Sequence, residues 1–203
     1  MRHVLAFLFL VASCAGVANA TPAIDVGTFN LLPNTAGQNI TLQVTGGDAV
    51  SGFNLRAQIN DGTGSQNEPI FQAVTFTGGT IWDARPFDTI GGPVQGAPSD
   101  VQASVVVSPP PPGATVPASG NLVILTISTV GIPSGNFPLL LKGTEIGLDS
   151  RFIVPGGAET PTNITNGMLI VAAPEPAMGS FVCVVAAGAL LRRRSSPVTS
   201  LRE

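Results

Sequence analysis

The chain is poor in the side chains that carry most enzyme chemistry. It has one histidine, His3, no tyrosine, and two cysteines, Cys14 and Cys183, one in the apolar stretch near each end. Residues 21–176 therefore hold no histidine, cysteine or tyrosine. This excludes Ser/His and Cys/His nucleophilic pairs, imidazole or thiolate metal centres, and any disulfide within that span. Charge is scarce too, at 10% of the 203 residues, and only 5% are aromatic. Low charge with 24 glycines and 18 prolines would suit a disordered chain, but 44% hydrophobic residues demand burial and point to packed strands with long turns. Between residues 21 and 176, eleven Asp and Glu face only Arg56, Arg85, Lys142 and Arg151, a net charge of −7. Nucleic acid and anionic membrane surfaces are disfavoured as partners of that span.

What the chain does have at its ends reads as an export device. Met1-Arg2-His3 supplies a positive start, Val4 to Ala12 an apolar core, and Ala18-Asn19-Ala20 the small-x-small pattern that signal peptidase cuts, so residues 1–20 are expected to be a signal helix and the mature chain to begin at Thr21. A competing pattern, Val11-Ala12-Ser13-Cys14, resembles a lipobox and would leave Cys14 as a lipidated terminus.

At the other end, Pro174-Glu175-Pro176 precedes an uncharged run from Ala177 to Leu191, followed by Arg192-Arg193-Arg194 and a polar tail to Glu203. The two prolines keep the entry extended. As a helix, the run would rise about 22 Å against a hydrocarbon core of about 30 Å, a marginal transmembrane span. The arginines can snorkel to headgroups, and they place residues 192–203 in the cytoplasm and the preceding domain outside. Cys183, inside the run, reads as a small apolar filler. These three ordered parts resemble the PEP-CTERM sorting signal of bacterial envelope proteins. The resemblance implies recognition and removal by an integral-membrane exosortase, then transfer to the cell surface or an exopolysaccharide matrix.

Between the ends, Ile40, Leu42 and Val44 alternate with Asn39, Thr41 and Gln43, and Phe53, Leu55, Ala57 and Ile59 with Asn54, Arg56 and Gln58. Period-two alternation predicts half-buried antiparallel strands. Further strands are expected at residues 23–29, 69–76, 80–83, 101–107, 122–129, 137–142, 148–154 and 167–171, punctuated by Gly-Gly, Asp-Gly and Ser-Gly turns. Leu122 to Ile127 lacks polar alternation until Thr126, which predicts a central strand covered on both faces. The expected class is all-β, a two-sheet sandwich or jelly roll over residues 21–172, with residues 173–203 as the sorting segment. Ser51 to Leu55, Gly79 to Trp82, Gly120 to Ile127 and Asn166 to Val171 stand in an order similar to the strands of cohesin-like modules. That resemblance implies a nine-stranded jelly roll binding another protein through one sheet face.

Other candidates rest on single features. Asp83 and Asp88 are the carboxylate pair a glycosidase would need, though each reads as a solvated loop acid. Asp61, Asn67 and Glu68 gather oxygen ligands in a glycine-rich loop that fits no EF-hand spacing, so a hairpin turn is expected and no metal or cofactor. Trp82 is the one side chain that could stack on sugars as part of a carbohydrate-binding module, but a lone tryptophan suits a core better. Pro109 to Pro112 reads as a stiff spacer. Asn39 and Asn163 begin chance glycosylation sequons. The function expected is non-enzymatic: an exported surface or matrix protein with a β-sandwich interaction module, or else a carbohydrate-binding module of the matrix or a permanently anchored adhesin or lipoprotein.

Overall fold

Each strand exists because its side chains sort by parity. Along Gln38–Thr45, Ile40, Leu42 and Val44 are buried while Asn39, Gln43 and Thr45 meet water. Along Gly52–Ile59, Phe53, Leu55, Ala57 and Ile59 turn inward. The computed structural model describes residues 20–63, 67–108, 114–141 and 150–173. The chain divides into two compact units, residues 1–172 and 173–203, and only Ala173 of the second is described. The expected signal helix, Cys14, the expected membrane helix over 177–191 and the proline run at 109–112 all lie outside the described residues. Among those that are described, no helix is long and apolar enough to cross a membrane.

In chain order the strands are Ala23–Asp25 (β1), Thr28–Leu31 (β2), Gln38–Thr45 (β3), Ala49–Val50 (β4), Gly52–Ile59 (β5), Ile70–Thr75 (β6), Phe87–Val94 (β7), Ala97–Val107 (β8), Val116–Pro117 (β9), Gly120–Ser128 (β10), Gly135–Leu140 (β11), Arg151–Ile153 (β12), Glu159–Thr160 (β13), Asn163–Thr165 (β14) and Gly167–Val171 (β15). One sheet has the order β14-β1-β3-β10-β6. The other runs β13-β12-β5-β11-β15-β2, with β8 on the free side of β5 and β7 beyond it. The inward rows of both sheets form one apolar core, in which Phe53 and Phe152 stack with ring centroids 4.7 Å apart. The all-β sandwich expected from the alternation is the fold observed.

β5 needs two partners on one edge, and a single hydroxyl closes the gap between them. β12 pairs its first half and β11 its last residues. Between them, the buried Ser150 hydroxyl accepts from the Arg56 N–H at 3.0 Å and donates to the Arg56 carbonyl at 2.8 Å. Both backbone groups are thereby satisfied where the ladder is interrupted.

The expected single strand over 23–29 is instead two, and the break has a physical cause. At Gly27, φ +75°, the chain passes from the five-stranded to the eight-stranded sheet, and β14 and β15 make the same passage beside it. Val26 N–H donates to the Thr165 carbonyl and Met168 N–H to the Gly27 carbonyl, both at 3.0 Å. The two backbones come so close that a Cβ on Gly167 would collide with the Gly27 carbonyl oxygen and the Val26 side chain. Gly167→Ala should therefore destabilise the domain by about 1–3 kcal/mol in chemical denaturation. Gly92→Ala, where the added Cβ meets nothing, should change stability by no more than about 0.5 kcal/mol.

Three other expectations are corrected. Thr80 to Asp83 is not a strand: Ile81–Ala84 is a 3-10 turn, and the Asp83 carboxylate accepts the N–H groups of Gly79 and Thr80 at its start. Gly91-Gly92 is not a turn but the middle of β7, where a Cβ on Gly91 would strike the Gln102 carbonyl oxygen. β10 is an interior strand, between β3 and the edge strand β6, yet only one of its faces is covered. A bulge between Asn121 and Val123 lets Leu122 and Val123 both turn inward, which lengthens the apolar run without a second layer.

Candidate interaction face

The outer face of the eight-stranded sheet is where unlike chemistries meet. Register sets Ile90, Ser104, Asn54 and Arg151 in one row across β7, β8, β5 and β12. The next row holds Asp88, Val106, Gly52, Ile153 and Glu159, the last on β13. Gly52 and Gly92, both in outward rows, contribute no side chains, and a hollow of about 310 Å³ opens over Asn54, Arg56, Gln102 and Ser104.

A hydrogen-bonded chain runs along the floor. Ser104 Oγ donates to Asn54 Oδ1 at 2.8 Å, Asn54 Nδ2 donates to Glu159 Oε1 at 3.2 Å, and Arg151 Nη1 meets Glu159 Oε2 at 3.3 Å. The Arg151–Glu159 pair is about half exposed, so it adds little to stability and its bonds can be exchanged for a ligand's. Arg56 and Asp100, paired at 2.9 Å, are almost fully buried and stiffen the floor. Ile90, 76% exposed, stands at the rim of the hollow, and Val106, 43% exposed, lies in the next outward row of the same face. Large apolar side chains held in water on a sheet face, around a polar hollow, are what a protein partner covers.

The candidates read from the sequence fall elsewhere. Trp82 is fully buried, its Nε1–H donating to the Leu122 carbonyl at 2.9 Å, so it offers no face to a sugar. Asp83 is occupied in capping, while Asp88 lies on the outer face opposite Val106, so the two share no site. Asp61 Oδ1 accepts the Thr63 N–H at 3.0 Å and its hydroxyl at 2.8 Å, a local turn. Those bonds, the backbone one first, hold the Asp61 carboxyl below the usual carboxylate range. A depressed folded-state pKa contributes stability at neutral pH that is lost as pH falls through it. Glu68 is buried and accepts from Asn60 Nδ2 at 3.1 Å, whereas Asn67 is exposed. Among the described residues no three His, Cys, Asp or Glu side chains gather as a metal site would need. Asn39 and Asn163 both lie on the outer face of the five-stranded sheet, the former accepting from Thr126 Oγ1 at 2.9 Å. Ala20 is described, and its carbonyl accepts the Asp48 N–H. Ala18, Pro174, Glu175, Pro176, Arg192, Arg193 and Arg194 lie outside the described residues.

No protein-family model and no curated protein matches the chain. Solved structures do. The solution structure of a cohesin, CaCohA2 from Clostridium acetobutylicum, aligns at TM-score 0.54 and 13% identity over 77% of this chain and 94% of that one. The fold is cohesin-like. A type I cohesin–dockerin complex from Clostridium thermocellum aligns at TM-score 0.51 and 14% identity, covering 79% of this chain and 99% of that one. The sixth cohesin of scaffoldin B from Acetivibrio cellulolyticus, solved with a dockerin, aligns at TM-score 0.51 and 9% identity over 76% and 100%. At such identities the likeness concerns architecture, and it agrees with the cohesin-like strand order read in the sequence.

Sequence pattern alone does not single out the residues that make the face. Val106 carries a signal: it shares parity with Gln102 and Ser104, an apolar residue on a polar row. Ile90 gives none, because Gly91-Gly92 disguises its strand as a turn.

Proposed function

We propose that the protein is an exported, non-enzymatic interaction module that holds a protein partner against the outer face of its eight-stranded sheet. The observation that carries this reading is that two large apolar side chains, Ile90 at the rim of the hydrogen-bonded hollow and Val106 one outward row away, are held exposed on one sheet face. The cohesin-like fold supports it, since both crystal structures named above contain a cohesin with a dockerin bound. Export is the second half of the proposal. Signal peptidase removes residues 1–20, residues 177–191 hold the precursor in the membrane, and an exosortase acts at Pro174-Glu175-Pro176 to deliver the domain to the cell surface or matrix.

Ile90→Asp puts a charge in the middle of the contact without touching the core. It should weaken partner binding by about 2 kcal/mol, roughly thirty-fold, while thermal stability stays within about 0.5 kcal/mol. Undiminished binding by Ile90→Asp would remove this face from the account. Intact-mass analysis of the protein from envelope and culture medium tests the export half: an amino terminus at Thr21 and a carboxyl terminus near residue 176 are expected. A full-length chain in the cytosol would contradict it.

A further inference from the structure

Four large apolar side chains are exposed among the described residues, and they fall into two pairs: Ile90 with Val106 on the sheet face, and Leu32 with Val130 far from it. The second pair sits at one end of the sandwich. Leu32 belongs to the loop between β2 and β3, and Val130 to the loop between β10 and β11. Hydrogen bonds stitch these loops together. Thr129 Oγ1 donates to the Leu32 carbonyl at 2.6 Å and accepts the Thr35 N–H at 3.1 Å, and Thr129 N–H donates to the Thr35 carbonyl at 2.9 Å. Asn34 Oδ1 accepts the Gly131 N–H at 3.2 Å, and Gln38 Oε1 accepts the Leu32 N–H at 2.7 Å. Both backbone groups of Leu32 are thus fixed while its side chain remains 64% exposed, and Val130 beside it is 57% exposed. The fold holds these side chains in water by construction.

The chain leaves the domain at this same end. β15 closes at Val171 opposite Leu31, and Ala172 N–H donates to the Leu31 carbonyl at 3.3 Å, one residue from Leu32. Residues 172–176 then precede the uncharged run from Ala177, and fully extended they reach only about 17 Å. The loops 32–37 and 129–134 contain no charged residue. Asp61, an acidic residue on that end, follows β5, three strands across the sheet from β2. The opposite end displays Asp48, Asp83 and Arg85, all exposed, and is where Ala20 lies.

We infer that the Leu32/Val130 end rests on the lipid surface of the bilayer that holds the tail, so that the precursor stands on its apolar loops with its charged end and amino terminus pointing away. This rests on the reading of residues 177–191 as a membrane segment. The occupant is fixed by the tether: whatever the tail enters lies within reach of this end, and an uncharged, apolar, rigid surface of a strongly acidic domain is the part that tolerates a headgroup layer. The orientation also keeps the outer face of the eight-stranded sheet standing off the membrane and open to a partner.

The test uses the chain from Thr21 with its tail, carrying Cys183→Ser and one added cysteine, reconstituted in uncharged phosphatidylcholine vesicles free of other protein. A polarity-sensitive fluorophore is placed in turn at Leu32→Cys, Val130→Cys and Ile90→Cys. Spin-labelled lipid should quench the first two several-fold more than the third, with blue-shifted emission that reverts when the tail is cut from the domain. Protein that floats with the vesicles while all three sites read as water would overturn the inference and leave the membrane segment standing. Protein that fails to float would overturn both.

Discussion

Leu125→Asp is expected to leave no folded domain. Leu125 is fully buried in β10, with Ile40 on β3 and Val74 on β6 as its neighbours in register. Losing its burial costs about 1.5–3 kcal/mol. A carboxylate without a partner adds several kcal/mol more, against a total stability of about 5–15 kcal/mol for a domain. Far-UV circular dichroism and gel filtration should show an unfolded or aggregated chain, while Leu125→Ala should stay folded with about 2–5 kcal/mol lost. The adjacent Ile124 faces outward, so Ile124→Asp should fold, and that contrast tests the one-sided cover of β10 directly. A soluble, native-like Leu125→Asp protein would mean that the inward row of β10 is misplaced.

Trp82→Ala should cost about 3–5 kcal/mol, the range for emptying a large buried aromatic. The indole projects from the 3-10 turn into the core, and its N–H serves the carbonyl of Leu122 in the β10 bulge. Trp82→Phe keeps most of the volume but orphans that carbonyl, so a smaller loss of about 1–3 kcal/mol is expected in urea denaturation. The same geometry changes how a sugar-binding experiment reads. Glycan binding that weakened in Trp82→Ala would report the destabilised core and not a lost contact, because the ring has no exposed face. As the single tryptophan of the chain, Trp82 should fluoresce as a buried indole and shift to the red on unfolding.

Parity carries most of the fold. The alternation at Ile40, Leu42 and Val44 and at Phe53, Leu55, Ala57 and Ile59 names the inward rows correctly, because a buried face tolerates few exceptions. The strand at residues 167–171 has the bounds its pattern predicts for the same reason. Sequence reasoning fails where backbones approach one another. Glycines at 91 and 92 look like a turn, but at Gly91 what matters is the neighbouring Gln102 carbonyl, a contact 11 residues away that no local pattern reports. Gly27 and Gly167 similarly hold a passage between sheets that joins the two ends of the domain. The proposed interaction face is hidden for a related reason. Ser104, Asn54, Glu159 and Arg151 come from four strands, and only register gathers them.

The proposed binding role rests on the outer face of the eight-stranded sheet, where exposed Ile90 stands at the rim of a hydrogen-bonded hollow. Two surfaces follow from two pairs of exposed side chains. Ile90 and Val106 lie on the outer face of the eight-stranded sheet, the proposed partner surface, and Leu32 and Val130 lie at the end where the chain departs. An exposed apolar residue alone means little, but paired residues over a built floor or on a pinned loop are a different matter.

Site-specific photo-crosslinking in the producing cell tests the central claim most directly. A photoreactive residue is placed at Ile90 or Val106, and at Thr41 or Thr126 on the outer face of the five-stranded sheet as controls. The account predicts one discrete protein adduct from the first two positions, lost when Ile90→Asp is combined with the probe at Val106, and none from the controls. Adducts from the five-stranded sheet alone, or no difference between the two faces, would contradict it.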